Sequence, residues 1–242
     1  MRIAALLLSL TLTASAFGGE IFIPATIRSN GANGSVWRTE MSIANISTHT
    51  PLPVQTTITL HRENAEPLSI TMPLSKFEVI SVPDALYDWF ELEDASGIIR
   101  VTWDDANARI GANARIYNIG NGGEYGQGVP AVRVNQLLSD VFLPGLSGVN
   151  GNRTNVGISN PHDLHAMVWV ELIDTAGNSR GSFTTSVAPR AFLQLNDIFS
   201  RFQAGPLHGA MVRITGVNAT IYAYASVVRN DTGDATYITP VE

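Results

Sequence analysis

Few residues in this chain have the types and spacing that catalysis or metal binding requires. His162 and His165 are separated by two residues, a spacing used by zinc ligands. A zinc site needs at least a third ligand, which the sequence does not show. The chain has no cysteine, which excludes a Cys–His nucleophile, and no Gly-x-Ser-x-Gly elbow. These patterns predict no zinc site and no hydrolytic triad.

A polar turn near the end of the chain offers oxygen ligands. Asn230, Asp231 and Asp234 lie within five residues, and Ca²⁺ prefers such carboxylate and amide oxygens. The same residues around Gly233 are also typical of an ordinary hairpin turn, in which glycine supplies a positive φ. Both interpretations stay open, and no other cofactor is expected.

Acidic residues cluster in one stretch of the first half of the chain. Two carboxylates can hydrolyse a glycosidic bond when an apolar pocket raises the pKa of one of them. This stretch instead has the polarity of a solvated surface rim, so we expect the protein not to be an enzyme. A carboxylate-dependent glycan hydrolase is the alternative. Its acids are Asp84, Asp88, Glu91, Glu93, Asp94, Asp104 and Asp105.

Three aromatic residues are candidates for ligand binding. Trp169 alternates with two valines, and Tyr222 and Tyr224 alternate with two alanines, so each lies on the opposite strand face from its small neighbours. On an exposed face these rings would stack on a sugar or contact a protein edge. On a covered face they would form an interface between two parts of the chain.

Composition narrows the class of protein. The 242 residues carry a net charge of −6, with 45% hydrophobic and only 15% charged residues, against about 25% charged in an average domain. A nucleic-acid partner is not expected, because phosphate binding needs a surplus of Lys and Arg.

The N-terminus has the pattern of a secretory signal peptide over residues 1–16. Arg2 precedes an apolar stretch, residues 3–12, and a small-residue cleavage site, residues 14–16. A stretch this short falls below the ~20 residues of a membrane-spanning helix. We therefore expect a secreted or periplasmic protein with no transmembrane segment in the mature chain.

An internal repeat determines the predicted architecture. Six segments recur in the same order, which predicts two copies, residues 19–132 and 140–242, joined by a linker, residues 133–139. The matched segments are residues 21–24 with 141–144, 38–45 with 153–160, 82–86 with 195–199, 98–102 with 211–215, 110–114 with 221–225, and Tyr125 and Pro130 with Tyr237 and Pro240.

Within each copy, apolar residues recur at every second position, as at Met41 and Ile43, which predicts half-buried strands. One segment per copy has a helical pattern after Asp84 or Asp197. The predicted fold is all-β, with two tandem immunoglobulin-like β-sandwich modules of about seven strands and one short helix each. An eight-stranded barrel per copy is the alternative.

Polar residues that match between the copies are expected to serve the shared fold. We predict that Asp84 and Asp197 cap their helices, through a backbone N–H or a nearby arginine. Asn45 and Asn160 are predicted to bind backbone groups at a strand end. The alternative is a pair of identical ligand sites, which would also use the matched pairs Arg38 with Arg153 and Arg100 with Arg213.

The repeats resemble uncharacterised exported bacterial β-sandwich tandem repeat modules. The second copy carries the resemblance in residues 195–197, 222–226 and 230–234, whereas the first copy departs from it at Pro83 and residues 110–114. The resemblance implies no activity.

We therefore expect a non-enzymatic structural, adhesive or ligand-binding protein at the bacterial cell envelope, with an envelope protein or glycan as partner. A further alternative is a two-domain periplasmic chaperone that binds a client by strand addition, for which Arg133 is the only linker residue that could anchor the client.

Overall fold

A computed structural model describes residues 18–30, 35–49, 52–120 and 123–242. The expected signal peptide, residues 1–16, lies outside the described residues. Within them the fold is all-β, with three hydrogen-bonded sheets and two short α-helices. None of the helices in these ranges is long and apolar enough to cross a bilayer.

The first half has eight strands in one continuous sheet, in the order β4-β3-β6-β1-β2-β7-β8, with β5 on the free side of β2. Strand β1 lies in the middle of this order and connects its two parts. Most of β1 pairs with β6, while Ser29 and Asn30 at its end pair with β2. The pairing with β6 shifts register around Pro24, which has no N–H to donate. The elements are β1 (Gly19–Asn30), β2 (Val36–Asn45), β3 (Val54–His61), β4 (Leu68–Leu74), β5 (Val79–Val82), α1 (Ala85–Asp88), β6 (Ala95–Trp103), β7 (Ile110–Gly120) and β8 (Gly123–Pro130).

The second half follows a 3-10 turn at Val134–Gln136 and has two four-stranded sheets. Their orders, β12-β11-β14-β9 and β13-β10-β15-β16, repeat the pairing of the first half strand for strand. Each half thus has eight strands, one more than predicted, and its helix lies in the predicted segment. The elements are β9 (Asp140–Ser147), β10 (Asn152–Asn160), β11 (Ala166–Ile173), β12 (Ser179–Val187), β13 (Ala191–Leu195), α2 (Ile198–Arg201), β14 (His208–Gly216), β15 (Tyr222–Arg229) and β16 (Ala235–Ile238).

The pairing order differs from the immunoglobulin arrangement that the sequence predicted. In an immunoglobulin constant domain the first, second, fourth and fifth strands share a sheet. In the second half of this chain the first, third, fourth and sixth strands do. Alternation along a strand reports which face is buried but not which strand is the neighbour, and this explains why the sequence did not reveal the order.

Side chains from both sheets of the second half form one apolar cluster. Val168 and Val170 come from one sheet and Val156 and Ile158 from the other, and all four are fully buried. The corresponding cluster of the first half extends into the second half. The two halves therefore share part of their apolar packing.

Matched polar residues join strands in the same way in both halves. The hydroxyl of Thr39 accepts from the N–H of Ile27 and donates to its carbonyl, both at 2.8 Å, and Thr154 does the same with Ser147 at 3.2 and 2.8 Å. All of these bonds tie the second strand of a half to the end of its first strand.

The two buried asparagines bind backbone groups at strand ends, as predicted. The Asn45 amide donates to the Leu74 carbonyl at 3.0 Å, and its oxygen accepts from the Ser47 N–H at 3.0 Å. Asn160 donates to the Val187 carbonyl at 3.2 Å and accepts from the His162 N–H at 3.1 Å. Each asparagine satisfies backbone groups that a strand end would leave unpaired.

Candidate functional site

A cleft of about 700 Å³ lies between the two halves and is here called the interhalf cleft. Its first wall contains the end of β1 with parts of β2, β7 and β8, and its second wall contains β10, β13, β15 and the turn after β15. Buried lining residues such as Ala25, Gly157 and Tyr224 form the base, and exposed ones such as Gln194 and Asn196 form the rim.

The base of the interhalf cleft is held by contacts between the halves. The Ser159 hydroxyl donates to the Pro24 carbonyl at 2.6 Å, at the point where the β1 register shifts. The Ser226 hydroxyl donates to Gln127 Oε1 at 2.8 Å. The Tyr224 ring lies across Gly157, where an added Cβ would come within 2.3 Å of the ring. Only glycine leaves room for that ring.

The lining of the interhalf cleft is rich in amides. Asn155 Oδ1 accepts from the Asp197 N–H at 3.1 Å, and Gln194 Nε2 donates to Asn196 Oδ1 at 2.6 Å. Asn118 Oδ1 accepts from the Val36 N–H at 3.2 Å on the opposite wall. These bonds orient the amides and leave some of their donor and acceptor positions for a ligand.

An aromatic ring and a cation complete the lining. The indole of Trp37 is half-buried, and Arg153 is half-buried on the facing wall. One guanidinium nitrogen of Arg153 donates to Asn230 Oδ1 at 2.6 Å. The cleft therefore combines an apolar ring face with fixed hydrogen-bonding groups.

Tyr222 and Tyr224 do not form an exposed platform, which corrects one of the two interpretations of the sequence. They are 5% and 3% exposed and belong to the apolar cluster of the first half. The Tyr224 ring stacks on Tyr237 with centroids 4.9 Å apart, and the Tyr237 hydroxyl donates to that of Tyr222 at 3.3 Å. Burial raises the pKa of all three phenols.

Trp169 lies outside the interhalf cleft. Its ring is half-buried, with the Arg213 guanidinium 6.0 Å from the ring centroid, and that guanidinium also lies 5.4 Å from the Phe142 ring. Arg213 is fixed by two hydrogen bonds to Asp140, at 2.9 and 2.7 Å. Trp169 stays a predicted ligand contact on a separate face.

Two of the three residues predicted as calcium ligands, Asn230 and Asp231, are bound by arginine side chains. Asp231 pairs with Arg229 at 3.1 and 2.7 Å, which lowers the pKa of that carboxyl, and Asn230 accepts from Arg153. Asp234 Oδ1 accepts from the next backbone N–H at 3.1 Å. These contacts are those of a hairpin turn with guanidinium groups beside it.

His162 and His165 do not converge. His162 Nε2 contacts the carbonyl and hydroxyl of Thr220, both at 3.1 Å, whereas His165 Nδ1 contacts the Ser186 hydroxyl at 3.3 Å. In the described ranges, no three His, Cys, Asp or Glu side chains form a group that could hold a metal ion.

Asp84 occupies the residue before α1 but makes no side-chain hydrogen bond to the helix backbone. Its carboxylate pairs with Arg28 and, at 2.9 Å, with Arg38, which is the arginine alternative of the prediction. Burial raises the pKa of Asp84 although both arginines act in the opposite direction. Asp88 provides the helix contact, because its carboxylate accepts from the Asp84 N–H at 3.0 Å.

The corresponding prediction for Asp197 is wrong. Its side chain makes no helix-capping bond and pairs with no arginine; it accepts from the Ser200 hydroxyl at 2.5 Å. In the second half, the residue that corresponds to Arg28 is Gly148, where a Cβ would lie 2.6 Å from the Phe199 ring. The larger ring of Phe199 therefore excludes an arginine, and Asp197 instead lines the interhalf cleft.

The predicted acidic stretch is not part of the interhalf cleft, since none of its seven acids lines it. The contacts of Asp84 and Asp88 are described above. Of the other acids, Glu93 pairs with Arg28 at 2.7 Å, and Asp104 and Asp105 accept backbone N–H groups. These contacts hold the α1 segment and nearby turns.

Most residues that line the interhalf cleft were not predicted from the sequence, although Tyr224, Asn230 and Asp231 were among the predicted ligand-binding and metal-binding residues. Trp37, Asn155, Gln194 and Asn196 lie on strands and a strand end whose neighbours across the cleft come from the other half. One signal was available, because Tyr222 and Tyr224 correspond to Gly111 and Asn113 in the first copy. Such a difference between matched strands indicates that only one of the two sheet faces is covered.

Comparisons with known proteins add little. No protein-family model matches the chain, and no curated protein matches it. Among solved structures, it is similar to a lectin from Pleurotus ostreatus in complex with GalNAc, at 12% sequence identity, over 93% of this chain and 85% of that chain, with a TM-score of 0.15. At that TM-score the likeness carries no argument about fold or function.

Proposed function

We propose that this chain is an exported, non-enzymatic envelope protein that binds a glycan in the interhalf cleft. The observation that carries the proposal is the lining of this cleft of about 700 Å³, which combines oriented amides with the half-buried ring of Trp37. Secretion to the envelope rests on the signal-peptide pattern of residues 1–16.

A glycan fits this lining because sugars present two kinds of surface. Their hydroxyls both donate and accept hydrogen bonds, as do the amides of Asn155, Gln194 and Asn196. The C–H faces of pyranose rings are apolar and stack on aromatic rings such as the indole of Trp37.

The hydrolase alternative lacks support in the cleft. Asp197 and Asp231 line it, but one accepts from the Ser200 hydroxyl and the other pairs with Arg229. A glycosidase acid needs an apolar pocket that raises its pKa, whereas the pKa of Asp231 is lowered. The chaperone alternative needs a basic anchor in a client groove, and Arg133 does not line the cleft.

The architecture that we propose is two tandem β-sandwich modules whose contact creates the cleft. It is supported by the repeated pairing order of the strands and by the apolar cluster that the two sheets of the second half share. In this proposal neither half alone has the site, because each supplies one wall.

A glycan array followed by calorimetry with soluble oligosaccharides tests the binding. The double variant Gln194→Ala/Asn196→Ala removes two exposed rim amides, and we expect it to weaken binding of the selected glycan about thirtyfold, at ~1 kcal/mol for each of the two lost hydrogen bonds. The matched control, Gln55→Ala/Asn113→Ala, removes exposed strand amides outside the cleft and is expected to leave affinity unchanged.

Two results would contradict the proposal. One is an array on which no glycan is retained by the full chain. The other is a loss of affinity that is equal in the rim variant and in the control.

A further inference from the structure

A second cavity, of about 220 Å³, lies between the halves and shares no lining residue with the interhalf cleft. The first half contributes Glu20, His61 and Arg100 to its lining, and the second half contributes Asp163 and Arg190. Charged groups from both halves thus surround one small space.

His61 is the most constrained of these side chains. It ends β3, pairs with Ile98 of β6, and is 9% exposed. The adjacent Gly97 allows the close approach of β6, because a Cβ there would lie 2.2 Å from the His61 carbonyl oxygen. The His61 Nε2 atom is buried and has no hydrogen-bond partner in the described part of the chain.

An unpaired buried nitrogen destabilises the folded state. A ligand in the cavity that pairs with Nε2 would remove this cost. Ligand sites typically place a few convergent polar groups in a concave lining.

Arg190 faces the cavity from a tightly held loop. Its backbone is left-handed, with φ of 49°, which is unusual for a residue with a side chain. Its N–H donates to the His162 carbonyl at 2.9 Å, and its Nε donates to Asp163 Oδ1 at 2.5 Å. Strained backbone held by several contacts is concentrated at functional sites.

The electrostatic environment at His61 favours an anion. Burial and then Arg190 and Arg100 lower the pKa of His61 to about 4, while Asp163 acts in the opposite direction. Arg100 itself is paired with Glu20 at 2.5 and 2.7 Å. Each of the two arginines thus acts on the pKa of the imidazole more strongly than Asp163 does.

We infer that this cavity binds a small carboxylate anion between His61 of the first half and Arg190 of the second half. One carboxylate oxygen accepts from the His61 Nε2–H, and the other accepts from the Arg190 guanidinium, whose fork suits a carboxylate. Because the ligand touches both halves, its binding stabilises their contact.

Acetate is the probe, and the readouts are the histidine ring signals in NMR and the thermal melting of the full chain. Millimolar acetate is expected to shift the His61 ring signals, raise the pKa of His61 and raise the melting temperature. His61→Phe and Arg190→Gly, which keeps the left-handed backbone accessible, are each expected to weaken acetate binding at least about tenfold. The control, His49→Phe, alters an exposed histidine outside the cavity and is expected to bind like the wild type.

Three results would overturn the inference: His61 signals that acetate does not move, a control variant that weakens binding as much as His61→Phe, and chloride that acts as strongly as acetate. If His61→Phe fails to fold, Arg190→Gly provides the same comparison. The outcome is independent of glycan binding, because the two cavities share no residue.

Discussion

His61 is expected to make folding stability depend on pH. Its pKa is lowered from 6.5 to about 4 in the folded chain, first by burial and then by Arg190 and Arg100. Between these two pH values the unfolded state binds a proton at this residue and the folded state does not. Stability therefore falls as the pH decreases from 6.5 towards 4.

The size of the effect follows from that difference in pKa. Each pKa unit is worth about 1.4 kcal/mol, so the full loss at pH 4 is about 3 kcal/mol. His61→Phe and His61→Gln remove the titrating group, and neither is expected to show this part of the loss. Other groups that titrate, such as Asp163, are common to all three proteins, so most of their effect cancels in the comparison.

Urea unfolding at a series of pH values from 7.5 to 4 measures the effect. The free energy of unfolding of the wild type is expected to converge on, or fall below, that of the variants at the acidic end. His49→Phe, which alters an exposed histidine, is expected to follow the wild type. Parallel curves for the wild type and both His61 variants would refute the reasoning.

Two further predictions concern matched positions. Asp84→Ala is expected to cost about 2–4 kcal/mol, because it leaves the buried Arg28 and the partly buried Arg38 without their shared carboxylate. Asp197→Ala is expected to cost less than about 1 kcal/mol. Equal losses in urea unfolding would contradict this. Asn160→Ala is expected to cost about 3 kcal/mol, since it leaves the buried carbonyl of Val187 and the part-buried carbonyls of Leu164 and Ala188 without this donor. A melting temperature within a degree or two of wild type would show that water replaces the amide.

Much of the local structure could be predicted from the sequence. The alternation at residues such as Met41 and Ile43 predicted strands with one buried face, and both residues are buried. The short helices lie where Asp84 and Asp197 were expected to precede them. The roles of Asn45 and Asn160 were predictable because a buried amide at a strand end has only nearby backbone groups to bind.

The pairing order and the sites depended on tertiary structure. The period of two in a strand is the same whichever strand is its neighbour, so nothing local distinguishes this order from that of an immunoglobulin domain. Asp84 and Asp197 occupy matched positions, yet among the described residues only Asp84 pairs with arginines. In the second half the position that matches Arg28 is Gly148, and the Phe199 ring fills the space beside it.

By itself the sequence determined the all-β class, the positions of the strands and the backbone-binding role of Asn45 and Asn160, since alternation and strand-end residues can be recognised locally. Both cavities are lined by residues of the two halves, such as Trp37 with Asn155 and His61 with Arg190. Only the packing of one half on the other brings such pairs together, because their separation along the chain exceeds the range of any local pattern.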